Sequence, residues 1–286
     1  MFRFLILVCC WCCIGTSLAA VRLTPGAASI ALGKEVAILE DASGKLSLEE
    51  VKLRAAEFNA LNMQGDAVIN FGYSASAWWL RFTVEAEPTP RDMLLEVAFP
   101  TLDRVDYFGP NGEHLSAGDR LPFATRPVPH RNFVFPLYLD GAKPGTVWLR
   151  IVSEGTLTIP LQLWQAEAFW QNSHTGYTVH SVFLGMLLAL ALYNLLQWLS
   201  LRDPTYLTYV LFVVGMAVGL QSLSGLGNEF LWPGWPGWGN LTFVFGFAAA
   251  GLFGALLTRG FLDTQRRMPR VDGAVIGLAV LFALCM

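Results

Sequence analysis

The chain has 286 residues, a formal net charge of −3 and a charged fraction of 14%, while 54% of its residues are hydrophobic. Together with a positive mean hydropathy, this composition indicates a membrane protein and excludes an ordinary soluble one. The slightly negative charge supplies no basic surface for a nucleic acid, so we expect no nucleic-acid partner.

The first segment, residues 1–20, is typical of a secretory signal peptide. Arg3 supplies a short positive start, the apolar run 4–15 is too short to span a bilayer, and the small residues at 17–20 suit cleavage. Four of the five cysteines lie in this segment and the fifth is Cys285. We therefore expect an exported domain without disulfides, and this composition permits an oxidising compartment but does not require one.

Residues 21–172 have the pattern of one extracytoplasmic domain that consists mostly of β-strands. A capping box formed by Ser47 and Glu50 begins an apolar repeat at helical spacing, which predicts one short helix over 47–58. Six later segments alternate apolar and polar residues between turns rich in Pro and Gly: 78–84, 93–99, 105–108, 132–139, 147–152 and 159–164. Short strands at this spacing predict an antiparallel β-sandwich that is jelly-roll-like.

Two of these strands share the pattern Trp-Leu-Arg. Alternation places Trp79 with Arg81, and Trp148 with Arg150, on the strand face opposite the aliphatic core residues. An indole can stack on a sugar ring and a guanidinium can donate to hydroxyls or carboxylates, so this face is a candidate ligand-binding surface. Two other interpretations stay open: solvated outer-sheet side chains with Arg over Trp in cation–π pairs, and a homodimer contact.

The exported domain carries no recognisable catalytic or metal-binding pattern. His114 and His130 stand apart, without metal-ligand spacing to each other or to a cysteine, and we interpret them as surface or turn residues. The sequence contains no nucleophile elbow, zinc-protease motif or phosphate-binding glycine loop. We therefore expect no enzymatic activity from this chain, no metal site and no cofactor.

Residues 177–286 contain the membrane segments, which we predict at about 179–199, 206–223, 241–258 and 271–286. The first three are long enough to cross the lipid bilayer, whereas the fourth runs to the last residue without a cap or flanking charge. The expected architecture is thus an α-helical transmembrane bundle truncated in the fourth helix. No complete segment has a charged residue at its centre, which argues against ion transport.

Small residues recur at four-residue steps in the second and third segments. Gly215 and Gly219 form one such pair, and Gly246, Ala250 and Gly254 form a second series. Small side chains let two helix backbones approach closely, so these positions predict helix–helix contacts.

The loops between the segments predict the orientation of the chain. The loop 225–240 has no Lys or Arg, whereas basic residues occur in the first and third loops: Arg202, Arg259, Arg266, Arg267 and Arg270. The positive-inside rule places these arginines in the cytoplasm and the N-terminal domain outside. This agrees with the signal peptide, which rests on different residues.

The same loop 225–240 places Trp232, Trp235 and Trp238 three residues apart among Pro and Gly. Tryptophans at this position are typical of the aromatic belt at a membrane interface. A lid over a ligand and a seat for the β-domain stay open as alternatives.

Several motifs occur in a fixed order along the chain. In the exported part they are Phe71-Gly72-Tyr73-Ser74, Trp79-Leu80-Arg81-Phe82, Leu94-Leu95-Glu96-Val97, Leu102-Asp103-Arg104-Val105-Asp106-Tyr107 and Trp148-Leu149-Arg150. In the membrane part they are Tyr193-Asn194, Leu199-Ser200-Leu201-Arg202-Asp203-Pro204-Thr205-Tyr206-Leu207, Leu231-Trp232-Pro233 and Phe261-Leu262-Asp263-Thr264. In this order the motifs resemble the bacterial seven-transmembrane receptors with diverse intracellular signalling modules, through the second type of extracellular sensory domain and the seven-helix module.

The resemblance implies a jelly-roll module likened to carbohydrate-binding domains, seven helices and a cytoplasmic output such as a histidine kinase, diguanylate cyclase or phosphatase. The chain departs from that pattern because it ends in the fourth helix, so a cytoplasmic signalling module is expected outside these residues. We predict a receptor fragment in the bacterial inner membrane whose periplasmic domain binds a small molecule or glycan. The alternatives are a membrane enzyme or transporter with a β-sandwich cap, and a protein-binding assembly module.

Overall fold

The computed structural model describes residues 21, 27–60, 68–85, 93–139 and 144–286, so the predicted signal peptide lies outside the described residues. The strands are β1 Ser29–Ala31, β2 Ala37–Asp41, β3 Asn59–Ala60, β4 Ile69–Tyr73, β5 Ala77–Val84, β6 Met93–Val97, β7 Arg104–Phe108, β8 His114–Ala117, β9 Phe133–Leu137, β10 Gly145–Val152, β11 Thr156–Ile159 and β12 Leu161–Gln165. The helices are α1 Leu48–Leu53, α2 Ala166–Leu201, α3 Pro204–Leu223, α4 Pro236–Leu262, α5 Thr264–Arg267 and α6 Pro269–Leu284, with a π-helical turn at Gly227–Leu231.

Two antiparallel sheets form the N-terminal domain. The larger sheet has the strand order β3-β2-β5-β10-β7-β8 and the smaller one β1-β12-β6-β9, while β4 and β11 pair separately. The facing sides of the two sheets enclose the main core, to which Leu80, Phe82 and Leu149 contribute from the larger sheet and Leu95 and Phe135 from the smaller. This confirms the predicted β-sandwich, in which strands adjacent in sequence divide between two sheets as they do in jelly rolls.

The strand predictions differ from the structure where both faces of a strand are covered. Strand β2 was not predicted because Ile38 packs on the main core while Leu39 faces a second cluster, so its sequence does not alternate in polarity. The segment 159–164 was predicted as one strand. The prediction of a single strand is wrong, because β11 ends at Ile159 and β12 begins at Leu161, and the two strands belong to different sheets.

Helix α1 begins at the predicted capping box. The Ser47 hydroxyl accepts from the Glu50 N–H at 3.4 Å, and the Glu50 carboxylate accepts from the Ser47 N–H at 2.8 Å. The helix is shorter than the predicted 47–58, since α1 ends at Leu53 and a 3₁₀ turn follows at Ala55–Glu57. Its buried residue, Val51, faces the outer side of the larger sheet.

Helix α2 continues from the last strand without a linker. Strand β12 ends at Gln165 and the helix begins at Ala166, about a dozen residues before the predicted membrane segment. The helix has 36 residues, which at 1.5 Å per residue gives a length of about 54 Å. Because the hydrocarbon core is only about 30 Å thick, the first turns of α2 extend beyond it toward the β-domain. There Phe169 packs with Trp164 on the outer face of the smaller sheet.

Within the described residues, three helices, α2, α3 and α4, are long and apolar enough to span a membrane. The fourth predicted segment forms α6, which has 16 residues. Helices α3 and α4 approach closely at the predicted small residues: a Cβ placed on Gly246 would lie 2.5 Å from the Gly219 nitrogen, and one on Gly215 would lie 2.8 Å from the Ala250 nitrogen. The predicted helix contacts are therefore confirmed.

The arginines that we predicted to determine the topology lie at the end of the bundle away from the β-domain. Helix α2 leads away from β12, α3 returns, and α4 leads away again, so the α2–α3 and α4–α6 connections share the far end. Arg202 lies in the first of these connections and Arg266 and Arg267 lie in the second, while Arg259 and Arg270 lie in the adjoining turns of α4 and α6. One of the five is also an ion-pair partner, because Arg259 Nε lies 2.9 Å from Asp272 Oδ1.

Candidate functional site

The predicted Trp/Arg ligand face is covered by helix α1 and by Phe58, which follows the 3₁₀ turn. Trp79 is 1% exposed and Trp148 is 9% exposed, and both pack in one cluster with Val51 and Phe58. The Arg81 guanidinium lies 5.0 Å from the centre of the Phe58 ring and 5.4 Å from that of Trp148, as in a cation–π arrangement. The alternation was therefore assigned correctly, but the second face of the sheet is a small core of its own.

Arg150 completes this covered face by holding the loop that precedes α1. Its Nη2 donates to the Gly44 carbonyl at 2.7 Å and its Nη1 donates to Asp106 Oδ2 at 3.3 Å. A ligand would reach the two indole faces only if α1 moved away. Ligand binding by Trp79, Arg81, Trp148 and Arg150 stays a prediction. In the structure this face packs against α1 and the segments next to it.

A polar network joins the β-domain to the membrane helices. The Arg131 N–H donates to the Tyr177 hydroxyl at 3.1 Å, and that hydroxyl donates to Glu229 Oε2 at 2.7 Å. Arg131 Nη1 also lies 3.2 Å from His180 Nε2. The network thus links a β-domain loop, the first membrane helix and the π-helical turn between α3 and α4. We call these four residues, Arg131, Tyr177, His180 and Glu229, the junction network.

His130 lies beside the junction network, in a loop, and is buried, whereas we predicted a surface or turn residue. Its side chain is buried, its Nδ1 accepts from the Asn132 N–H at 3.1 Å, and its Nε2 is 3.3 Å from the Ser173 hydroxyl. Burial, reinforced by the charge of Arg131, lowers the pKa of His130 to about 4, so the ring is neutral at pH 7. The sequence carried no signal for this, because Ser173 and Phe169, which pack against the ring, belong to the distant helix α2.

Arg126 supports the same loop from inside. Its Nη1 donates to the carbonyls of His130 and Arg131, each at 2.7 Å, and burial lowers the pKa of its guanidinium to about 10. The guanidinium also stacks over the rings of Phe123 and Phe133. These contacts fix the backbone carbonyls of His130 and Arg131. The backbone N–H and the side chain of Arg131, in the same loop, contact the helices.

The loop with the three tryptophans contacts the β-domain. The Phe123 N–H donates to the Pro233 carbonyl at 3.1 Å, and Trp232 turns inward, where its Nε1 donates to Asn228 Oδ1 at 2.7 Å. Trp235 and Trp238 are exposed. The alternative of a seat for the β-domain has geometric support, and the interfacial role of Trp235 and Trp238 stays a prediction.

A cavity of about 420 Å³ lies between the β-domain and the bundle. We call it the junction cavity. The β-domain supplies one wall, and the end of α3, the π-helical turn and the start of α4 supply the other. The charged and amide side chains that line it are Asp103, Asp119, Arg120, Glu154, Asn228 and Asn240. It brings together residues that are more than a hundred positions apart in sequence.

Two of the three carboxylates in the junction cavity are paired. Arg120 Nε lies 3.4 Å from Asp103 Oδ2, and Arg120 Nη1 donates to Glu154 Oε1 at 3.2 Å. Asp103 also accepts from the Glu154 N–H at 2.9 Å. One guanidinium therefore serves both carboxylates.

Asp119 is the third carboxylate, and it is 4% exposed. Its Oδ1 has no hydrogen-bond partner within the described part of the chain. Burial raises the pKa of Asp119 to about 7, with a further contribution from the negative charge of Asp103. The two aspartates are close because Gly118 lets their loops meet: a Cβ on Gly118 would lie 2.1 Å from the Asp103 carbonyl oxygen.

Two family models match the chain. The model described as 7TMR-DISM extracellular 2 matches residues 33–165, and the model described as 7TM diverse intracellular signalling matches residues 176–286. The chain belongs to the seven-transmembrane receptors with diverse intracellular signalling modules. This confirms the resemblance in the motifs and makes the chain a membrane protein with an extracellular sensory domain.

Other comparisons give less. No curated protein matches the chain. Among solved structures the chain is similar to TmCBM61 in complex with beta-1,4-galactotriose, with 11% identity and a TM-score of 0.26, over 46% of this chain and 88% of that one. This likeness is too weak to assign a ligand to this receptor.

Proposed function

We propose that the chain is the input part of a receptor in which an extracytoplasmic ligand changes how the β-domain is seated on the helix ends. The observation that carries the proposal is the junction network, where Tyr177 bridges Arg131 of the β-domain and Glu229 of the bundle. A ligand shifts the equilibrium between two arrangements of the β-domain on the helix ends only if it binds one arrangement more tightly than the other. The two arrangements would differ in energy through the hydrogen bonds of the Tyr177 hydroxyl.

The continuous chain from β12 into α2 supports this coupling. Because Gln165 ends a strand and Ala166 begins a helix of 36 residues, a rotation of the β-domain would turn the first membrane helix with it. A flexible linker would absorb the same rotation. The role proposed for these residues is binding and transmission rather than catalysis, and a cytoplasmic signalling module would receive the signal.

We also propose that the chain lies in the inner membrane with its β-domain in the periplasm. The five arginines at the far end of the bundle support this orientation, since basic loops are retained in the cytoplasm. The absence of Lys and Arg from the loop 225–240, at the β-domain end, supports it independently.

Carbohydrate is the ligand class that we propose for the sensory domain. Carboxylates such as Asp119 and Glu154 accept hydrogen bonds from hydroxyls, and Phe99 and Phe243 add apolar surface in the same junction cavity. This combination of polar groups with ring surfaces suits a hydroxylated ligand of limited size.

The test uses the full chain in lipid nanodiscs. Mono- and oligosaccharides are screened by saturation-transfer NMR, and spin labels at Asn111→Cys and Gln265→Cys, in a background in which the five native cysteines are replaced by serine, report the distance between the β-domain and the far end of the bundle. We expect a saccharide-dependent change in this distance. Tyr177→Phe should abolish the change but retain binding, because it removes only the bridging hydroxyl.

Tyr193→Phe is the matched control, since Tyr193 lies on the same helix, is exposed and is remote from the junction. It should leave the distance change intact. Binding without any distance change would refute the coupling, and failure of every saccharide to bind would refute the carbohydrate assignment.

A further inference from the structure

We propose that the junction cavity recognises a ligand through a protonated amine, which Asp119 binds. The inference rests on the proposed sensory function and narrows its ligand to a hydroxylated molecule that carries an ammonium group, such as an amino sugar. It is argued from the hydrogen bonding, the charge balance and the position of Asp119.

The first step is the unpaired oxygen of Asp119. Its carboxylate is 4% exposed and borders the junction cavity, and its Oδ1 has no partner in the residues that the structure describes. Buried acceptors are almost always hydrogen-bonded, because a buried oxygen without a donor loses its hydration and gains nothing in return. A donor from a bound molecule would fill this position.

The second step is the charge of the lining. Asp103, Asp119 and Glu154 are three carboxyl groups, and Arg120 is the cation that faces them in the cavity wall. Arg126 is nearby, but its Nη1 donates to two backbone carbonyls. The bundle wall contributes the uncharged amides Asn228 and Asn240. The excess of negative charge favours a cationic ligand over a neutral one.

The third step distinguishes an organic cation from a metal ion. No group of three His, Cys, Asp or Glu side chains that could hold a metal occurs among the described residues. Asp103 and Glu154 are engaged by Arg120, which leaves Asp119 as a single carboxylate ligand. One carboxylate suits the directed hydrogen bond of an ammonium better than the several oxygens that a hard metal ion needs.

The position of Asp119 explains why such a ligand would matter for signalling. Asp119 belongs to the β-domain, and Asn240, near the start of α4, lines the same cavity from the wall that the membrane helices supply. An ammonium group at Oδ1 would stabilise the ionised carboxylate between these two walls. Occupancy of the junction cavity would then change an interaction between the sensory domain and the membrane helices.

The test compares serinol with glycerol, which differ by an ammonium group in place of a hydroxyl. Binding to the full chain in nanodiscs is titrated by saturation-transfer NMR at pH 6 and pH 8. We expect serinol to bind at least about tenfold more tightly than glycerol at pH 8. Its affinity should fall about tenfold at pH 6, because a carboxyl with a pKa of about 7 is then mostly protonated. Glycerol should show no such pH dependence.

Asp119→Asn should remove both the preference for serinol and its pH dependence. Glu49→Gln is the control, since it removes a carboxylate from the exposed surface of α1 and should change neither. Asn240→Asp adds a carboxylate on the opposite wall and should increase the preference, which tests the assignment by a gain even if Asp119→Asn folds poorly.

Equal binding of serinol and glycerol overturns the inference, as does a serinol preference that survives Asp119→Asn. A saccharide that moves the β-domain without any serinol preference overturns the amine assignment alone. If no ligand changes the distance between the two spin labels, the proposed sensory coupling is refuted instead.

Discussion

Replacement of Gly246 by alanine should push helices α3 and α4 apart. The added Cβ would lie 2.5 Å from the Gly219 nitrogen, 2.8 Å from the Gly219 Cα and 3.0 Å from the Gly215 oxygen. All three are backbone atoms, which cannot rotate out of the way as a side chain can. Since ordinary contact begins at 3.4 Å, the shortest of these distances requires a separation of about 0.9 Å.

The expected loss of stability combines opposing effects. Alanine favours a helix over glycine by about 1 kcal/mol, whereas overpacking of a close contact costs about 1–3 kcal/mol. Separation also weakens the dispersion contacts along the interface, which are a main source of helix association in lipid. We expect the native bundle to lose about 2 kcal/mol in total, because the backbone clash and the lost contacts outweigh the helix propensity.

Unfolding of the purified chain in detergent, followed by circular dichroism against added denaturing surfactant, measures this loss. Gly185→Ala is the matched control, because its Cβ on α2 would have nothing within 4 Å in the described structure. The control should be as stable as the parent chain or slightly more so. If Gly246→Ala is as stable as Gly185→Ala, the α3–α4 contact does not hold the bundle together as described.

Two further predictions concern the β-domain and the junction cavity. Trp79→Ala should lower the stability of the β-domain by about 3–5 kcal/mol, because it empties the cluster beneath α1; the exposed Trp235 is the control, and faster hydrogen exchange in α1 is the local readout. A Trp79→Ala chain as stable as Trp235→Ala would contradict this packing. Asp119 has a pKa of about 7 in the folded chain against an ordinary 3.8, so the native state retains a proton that the unfolded state has lost between pH 4 and 7. The free energy of unfolding should therefore fall as pH rises through that window, and its slope against pH should be smaller in Asp119→Asn. Thermal unfolding at several pH values measures both slopes, and equal slopes in the two chains would refute the raised pKa of Asp119.

Local patterns in the sequence were sufficient for the elements that depend on near neighbours. Apolar runs long enough to cross a bilayer identified α2, α3 and α4, and the capping box at Ser47 and Glu50 identified the start of α1. Alternation separated the two faces of β5 and β10 correctly, because side chains on a strand point to opposite sides in turn. The spacing of Gly246 and Ala250 likewise identified the helix contact before its partner was known.

Solvent exposure and site geometry depended on segments that are distant in sequence. Alternation could not reveal that α1 covers Trp79 and Trp148, since the residues that bury them, such as Phe58, belong to another element. Nor could it place Asp119 against Asn240 in the junction cavity. Periodicity reports which way a side chain points along its own strand or helix, whereas what it meets there is decided only when the whole chain has packed.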